Sequence, residues 1–104
     1  KTSLFDIYAY RTYSLKVRFQ FDPAKAASNL KKHGVSFADA EGVFYDPLAI
    51  HQLDPDSADE ERFVAIGMGS AGIILVVVYA LRREEIRLIS ARRATRHEVK
   101  SYEK

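Results

Sequence analysis

The chain has 104 residues, of which 47% are hydrophobic and 29% are charged, and its formal net charge is +2 at pH 7. This length suits one domain and is too short for two, the hydrophobic fraction is too high for a disordered chain, and the longest apolar run, residues 73–81, is too short for a membrane-spanning helix. The lack of cysteine excludes a disulfide framework, a thiolate nucleophile and a Cys-ligated zinc site, and it is compatible with a cytoplasmic location.

The opening segment, residues 1–16, contains three tyrosines but lacks the apolar block and the small-residue cleavage site of a signal peptide. The segment could add an edge strand to a sheet, or it could extend upstream of the domain. We favour the second interpretation and divide the chain into an N-terminal extension, residues 1–16, and a domain, residues 17–104.

The domain begins with a strand that leads directly into a helix. Residues 17–21 alternate apolar and polar side chains, which predicts a half-buried strand. Asp22 is a favourable N-cap and Pro23 suits the first helical position. The residues that follow are rich in Ala, Leu and Lys, and Gly34 is well suited to a left-handed C-terminal cap, so the helix should end there.

A second short helix is predicted immediately after the first. Ser36 is its candidate N-cap, and Asp46 with Pro47 should end it. One helical face carries the apolar side chains Phe37, Ala40, Val43 and Phe44. The two helices should therefore pack together as a hairpin.

Strand patterns dominate the second half of the chain. We predict a short strand over residues 49–53, followed by a polar loop. Residues 62–69 alternate as a strand, residues 69–72 form a hairpin turn, and residues 73–81 are apolar on both faces, as a central strand requires.

The last strand is predicted over residues 86–90, after a turn at residues 83–85. Residues 91–104 are helical in composition, with Ser90 as the candidate N-cap. Because strands follow strands, the sequence predicts an α+β fold: an antiparallel sheet of about four strands, two N-terminal helices and a C-terminal helix.

Charge is segregated along the chain. Residues 82–104 contain eight Lys or Arg against four Asp or Glu, whereas residues 46–61 contain six acidic residues and no Lys or Arg. Clustered cations attract a phosphate backbone or an acidic protein. A solvated helix face would have the same composition, so charge alone leaves both interpretations open.

Neither a nucleotide-binding loop nor a catalytic metal site is indicated. None of the five glycines precedes a Lys-Ser/Thr pair or forms a dinucleotide fingerprint between a strand and a helix. His33, His51 and His97 show neither helical i, i+4 pairing nor neighbouring carboxylates at ligand spacing. We therefore expect no metal and no other cofactor.

Metal-free cleavage of RNA is chemically accessible to such a chain, because the substrate's own 2′-hydroxyl is the nucleophile. The protein supplies alignment, proton transfer and cations for the developing phosphorane charge. Arginine forks bind phosphate and stay charged. The candidates are Arg62, Arg87, Arg92 and Arg93. Each begins, lies on or follows a predicted strand, so the four side chains could converge on one phosphate.

Four residues are candidates for proton transfer: His33, His97, Glu98 and Tyr79. Each also has a structural interpretation. His33 would interact with a helix C-terminus, His97 and Glu98 would belong to a solvated helix face, and Tyr79 would be a core residue of a central strand.

Three segments resemble the BrnT family of type II toxin–antitoxin toxins: FDPAKAASNLKKHGVSFADAEGVFYDP, ERFVAIGMGSAGIILVVVYALR and IRLISARRATRHEVKSYE. The likeness spans residues 17 to about 103, and the KHG helix end, the R-x-x-A-I-G strand and the I-S-A-R-R-A junction follow in family order. The resemblance implies a RelE-like fold, ribonuclease activity that inhibits translation, and neutralisation by a cognate BrnA-type antitoxin.

By position, the resemblance points to Arg62 and Arg92 as active-site residues, with Arg87 and His33 as further catalytic candidates. It leaves the general base open among Lys25, Tyr79 and Glu98. The basic residues that we expect to bind RNA are Lys25, Lys31, Lys32, Arg93 and Arg96.

The leading hypothesis is a metal-independent endoribonuclease that cleaves RNA by 2′-hydroxyl attack. The alternative is a non-catalytic module that binds protein or nucleic acid through the same basic surface. We expect an RNA substrate and a BrnA-type antitoxin as partners and no membrane association. Self-association, through the opening segment or an exposed strand edge, is compatible with the sequence.

Overall fold

The computed structural model describes residues 17–57 and 60–104; the predicted N-terminal extension, residues 1–16, lies outside the described residues. The described part of the chain forms five β-strands, three α-helices and one 3-10 turn. In chain order these are β1 (Arg18–Gln20), α1 (Pro23–His33), α2 (Phe37–Glu41), the 3-10 turn (Gly42–Tyr45), β2 (Ile50–Leu53), β3 (Phe63–Met68), β4 (Ile74–Arg82), β5 (Glu85–Arg93) and α3 (Arg96–Tyr102). The predicted α+β class is confirmed.

The predicted caps set the limits of the first two helices. The Asp22 carboxylate accepts a hydrogen bond from the Ala24 backbone N–H at 2.8 Å, and Gly34 ends α1 with a φ of 70°, which favours glycine. The Ser36 hydroxyl accepts from the Asp39 N–H at 3.0 Å and caps α2. Local sequence therefore fixes the start of both helices and the end of α1.

The sheet has the strand order β1-β5-β4-β3-β2. Strands β2 to β5 form the predicted antiparallel meander, and the apolar β4 lies at its centre. β1 differs from the prediction, because it pairs in parallel with β5 and adds a fifth strand. This pairing joins the first and last strands of the described chain, and local periodicity carries no information about it.

The end of the last strand was predicted wrongly. β5 continues beyond residue 90 to Arg93, and the N-cap of α3 is Thr95 rather than Ser90. Thr95 forms a capping box with Glu98, in which each side chain accepts from the other residue's backbone N–H. Pairing with β4 overrides the helical composition of residues 91–93, so Arg92 and Arg93 are strand residues.

The two faces of the sheet have different neighbours. We call the face that packs against α1, α2 and the 3-10 turn the first face; its core includes Phe37, Val43, Phe44, Ala65, Leu75, Val77, Tyr79, Ile86, Leu88 and Ala91. The alternate strand residues point to the opposite side, the second face. They include Val64, Ile66, Val76, Val78 and Ala80.

Asn29 connects α1 to β5. Its side-chain amide donates to the carbonyls of Val35 and Ala91, both at 2.9 Å, and its carbonyl oxygen accepts from the Ala91 N–H at 3.0 Å. The register of β1 with β5 ends at Arg87, so no described strand pairs with the outer edge of β5 at Ala91. The buried Asn29 amide takes the place of a strand there.

Candidate active site

Three of the predicted arginines lie on the second face of the sheet. Arg87 pairs with Ala80 and Arg92 pairs with Val76, and both partners alternate with first-face core residues of β4. Arg62 directly precedes Phe63, whose side chain packs against the first-face core, so Arg62 also belongs to the second face. The sheet therefore brings together cations that are up to 30 positions apart in the sequence.

A β-bulge is responsible for placing Arg87 and Arg92 on the same face. In a regular strand, residues five positions apart point to opposite faces. In β5, Leu88 pairs with Tyr79 and Ser90 pairs with Val78, which leaves Ile89 as an extra residue. This insertion shifts the alternation by one residue, and Arg92 turns to the second face. Bulges are frequent beside active sites.

Arg62 and Arg87 flank Ala80 in one row across the second face. Arg62 directly precedes β3 and Arg87 lies on β5, on either side of β4, so their backbones are separated by about 10 Å, twice the interstrand spacing. Ala80 has no exposed surface although it lies outside the first-face core. This row is therefore the candidate phosphate site.

The two arginines of this row have weak or no acidic partners. The Arg62 Nε is 3.9 Å from the Asp54 carboxylate, and the Arg62 guanidinium donates to the Asp56 carbonyl at 3.5 Å. Among residues 17–57 and 60–104, no carboxylate lies within ion-pair distance of the half-buried Arg87. A half-buried cation without a carboxylate partner favours anion binding.

Arg92 is held differently, by a two-point ion pair. Its two terminal nitrogens donate to the two Glu98 carboxylate oxygens at 2.9 and 2.8 Å. The hydrogen bond from Arg92 lowers the pKa of Glu98 to about 2, and the same hydrogen bond raises the pKa of Arg92. Along β4, the positions opposite Arg87 and Arg92 are four residues apart, which corresponds to about 13 Å. Arg92 is therefore farther along the sheet from Arg87 than Arg62 is across it, and its guanidinium is bound to Glu98.

Two of the proton-transfer candidates have structural roles in this arrangement. Glu98 keeps its charge to about pH 2, so its carboxylate is a weak base near neutrality. Tyr79 is 1% exposed on the first face, and its hydroxyl shares a 2.8 Å hydrogen bond with the Nδ1 of His51. Burial raises the pKa of Tyr79 far above its ordinary value, so the phenol stays protonated.

The remaining basic candidates lie away from the arginine row. Lys25, Lys31, Lys32 and His33 belong to α1, which packs on the first face. Arg93 alternates with Arg92 and pairs with the first-face residue Leu75. Arg96 and His97 are exposed at the start of α3. The sheet thus separates the second-face arginines from the basic surface of α1.

The sequence did not identify His51 as a residue with a defined partner. β2 places it on the first face, where its ring lies 5.9 Å from the rings of Phe44 and Tyr79. Asp46 lies nearby in the fold: it accepts hydrogen bonds from the Met68 N–H and the Tyr102 hydroxyl. Although burial opposes it, this bonding lowers the pKa of Asp46, and the Asp46 hydrogen bond raises the pKa of Tyr102 to about 12.

Residues 17–57 and 60–104 contain neither a metal-ligand cluster nor a candidate membrane span. No group of three or more His, Cys, Asp or Glu lies close enough to hold a metal ion in this part of the chain. Within the same residues, no helix combines the length and hydrophobicity needed to cross a membrane.

These features define a small α+β domain whose second sheet face carries three arginines. Comparison with known proteins then gives its family. A family model described as the ribonuclease toxin BrnT of type II toxin–antitoxin systems matches residues 21–98. The 1.1 Å crystal structure of the Brucella abortus ribonuclease toxin BrnT is 30% identical, aligns with 78% of this chain and 100% of that chain, and has a TM-score of 0.58. Curated protein sequences gave no match.

The chain therefore belongs to the BrnT ribonuclease toxin family of type II toxin–antitoxin systems. Its α+β fold matches that of the Brucella toxin, and the predicted resemblance is confirmed. Family membership implies ribonuclease activity, an RNA substrate and a cognate antitoxin.

Proposed function

We propose that the protein is a metal-independent endoribonuclease that inhibits translation by cleaving RNA on the second face of its sheet. The observation that supports this proposal is the row in which Arg62 and Arg87 flank the buried Ala80, with no described carboxylate paired to Arg87. Two guanidinium groups, one directly before β3 and one on β5, can hold one phosphate and stabilise the charge that develops on its oxygens.

In the proposed reaction, the 2′-hydroxyl oxygen attacks the adjacent phosphorus and loses its proton. The bond from phosphorus to the 5′-oxygen breaks, and that oxygen gains a proton. The products are a 2′,3′-cyclic phosphate and a 5′-hydroxyl end. Arg62 and Arg87 neutralise the extra negative charge of the phosphorane. In other nucleases a metal ion neutralises this charge. We assign no general base, because Glu98 and Tyr79 hold their protonation states through neutral pH.

The proposal is tested by incubating the purified protein with single-stranded RNA in EDTA and identifying the new ends by mass spectrometry. We expect cleavage to persist in EDTA and to leave 2′,3′-cyclic or 3′-phosphate ends. The Arg62→Ala and Arg87→Ala variants should each lose at least tenfold in cleavage rate, the cost of removing one charged donor from a transition state. A need for added divalent metal would contradict the mechanism.

Arg83→Ala is the matched control for these variants. Arg83 is exposed in the turn between β4 and β5, so its removal takes the same charge from the same end of the sheet. We expect its cleavage rate to stay within about twofold of the unchanged protein, because exposed charges at this distance are screened. Equal losses in all three variants would show that net charge, rather than the row, supports activity.

We further propose that a BrnA-type antitoxin neutralises the toxin by covering the arginine row with an acidic or amphipathic segment. Charge complementarity favours such a contact, and covering the row would exclude RNA. Co-expression with the antitoxin should restore growth, and Arg87 should become protected from arginine-specific modification in the complex. Restored growth with Arg87 still fully reactive would refute the masking model.

A further inference from the structure

A row of four residues lies on the second face between the Arg62–Arg87 row and Arg92. Its members are aligned by the strand register, in which Gln52 pairs with Val64, Val64 with Val78, and Val78 with Ser90. We call this set the middle row. It is one same-face step, about 7 Å along the strands, from the Arg62–Arg87 row and from Arg92. The middle row therefore has the Arg62–Arg87 row on one side and the Arg92–Glu98 ion pair on the other.

The middle row has an apolar centre and polar ends. Val64 and Val78 are half-buried, so part of each side chain is open to solvent. Gln52 is exposed on β2, and Ser90 is half-buried at the bulge of β5. Among the described residues, neither the Gln52 amide nor the Ser90 hydroxyl forms a side-chain hydrogen bond. Both polar groups are therefore available to a ligand lying over the two valines.

A nucleotide base fits this combination of features. A base presents a flat apolar surface and an edge of hydrogen-bond donors and acceptors. An RNA phosphate held by Arg62 and Arg87 would leave the attached nucleoside within a few ångströms of the middle row. The cations of the Arg62–Arg87 row favour a polyanion over an uncharged peptide.

We propose that the middle row is a base-binding subsite for a nucleotide next to the scissile phosphate. Val64 and Val78 form its floor, and Ser90 at one end of the row and Gln52 at the other form hydrogen bonds with opposite edges of the base and determine which base is preferred. This inference rests on the proposed ribonuclease function, because it uses the same face of the sheet. Ser90 and Gln52 are specificity residues in this scheme, and the charge stabilisation stays with the arginines.

The test uses a pool of single-stranded RNAs that are randomised around one cleavable region, with cleavage sites counted by sequencing. We expect the unchanged protein to favour one base at a position next to the cut. Ser90→Ala and Gln52→Ala should each reduce that preference about fivefold, the ratio that one neutral hydrogen bond is worth. Ser28→Ala removes an exposed hydroxyl from α1 and should leave the preference unchanged.

The outcomes separate this inference from the proposed function. An absence of all cleavage by the unchanged protein would refute the ribonuclease proposal itself. Efficient cleavage with the same base preference in the unchanged protein, Ser90→Ala and Gln52→Ala would refute only the subsite. The subsite would also be refuted if both variants kept the RNA profile but lost antitoxin binding, because the middle row would then be a protein contact. Thermal melting of each variant confirms that it is folded.

Discussion

Replacing Asn29 by alanine should destabilise the domain by about 3 kcal/mol, because the amide makes three buried hydrogen bonds that are worth about 1 kcal/mol each. The variant leaves the Ala91 N–H and two carbonyls without these partners, and Asn29 is 7% exposed, so water cannot fully replace them. For a domain of this size, such a loss lowers the melting temperature by about 15 °C.

Urea unfolding followed by circular dichroism measures this change as a shift of the midpoint at constant slope. The neighbouring Ser28→Ala is the control, because it alters an exposed residue of the same helix. Asn29→Asp separates hydrogen bonding from packing. It keeps the size and the acceptor for the Ala91 N–H, but its carboxylate faces two carbonyls and cannot donate to them.

Asn29→Asp should therefore be at least as unstable as Asn29→Ala at pH 7. Its stability should recover as the pH falls, because burial beside carbonyls raises the pKa of the new carboxyl above its unfolded value, and the protonated form can donate one hydrogen bond. If Asn29→Ala lowered the free energy of unfolding by less than about 1 kcal/mol, which is the contribution of a single hydrogen bond, the reasoning would be refuted. An Asn29→Asp variant as stable as the unchanged protein would also refute it.

Two further predictions concern the charged groups. The Arg92 hydrogen bond lowers the pKa of Glu98 from its ordinary value of 4.5 to about 2, so the pair should stabilise the fold above pH 4.5 and lose this contribution as the pH falls to 2. In urea titrations, Glu98→Gln should flatten that part of the profile of stability against pH. An unchanged profile would contradict this prediction. Arg87→Ala should reduce by about 0.7 the slope of log affinity against log salt concentration for a non-cleavable 2′-deoxy oligonucleotide, and an unaltered slope would show that Arg87 contacts no phosphate.

Local sequence was sufficient to predict α1, the start of α2 and the central strand β4. Asp22, Ser36 and Gly34 have side chains or backbone preferences that act within a few residues, so their cap positions could be predicted and are confirmed. The apolar run of residues 73–81 likewise identified the central strand, because a strand buried on both faces has no polar alternation.

Two features of the fold could not be predicted, because each depends on contacts distant in sequence. β1 pairs with β5, and residues 91–93 remain extended because β4 pairs with them. Helical propensity is weak beside such pairing. The sequence consequently assigned Arg92 to a helix start.

The arginine site was predictable in composition but not in geometry. Charge and strand ends indicated Arg62, Arg87 and Arg92. Their common face depends on the extra residue Ile89, and nothing in the sequence near it marks a bulge. Without the bulge, alternation would place Arg87 and Arg92 on opposite faces.

The position of β5 between β1 and β4 has a consequence for protein synthesis. β5 is the last strand of the described residues, and it carries both Arg87 and Arg92. A nascent chain that lacks β5 has no partner for β1 and no completed arginine row. In the proposed nuclease, the arginine row therefore forms only after β5 has been synthesised and has paired with β4.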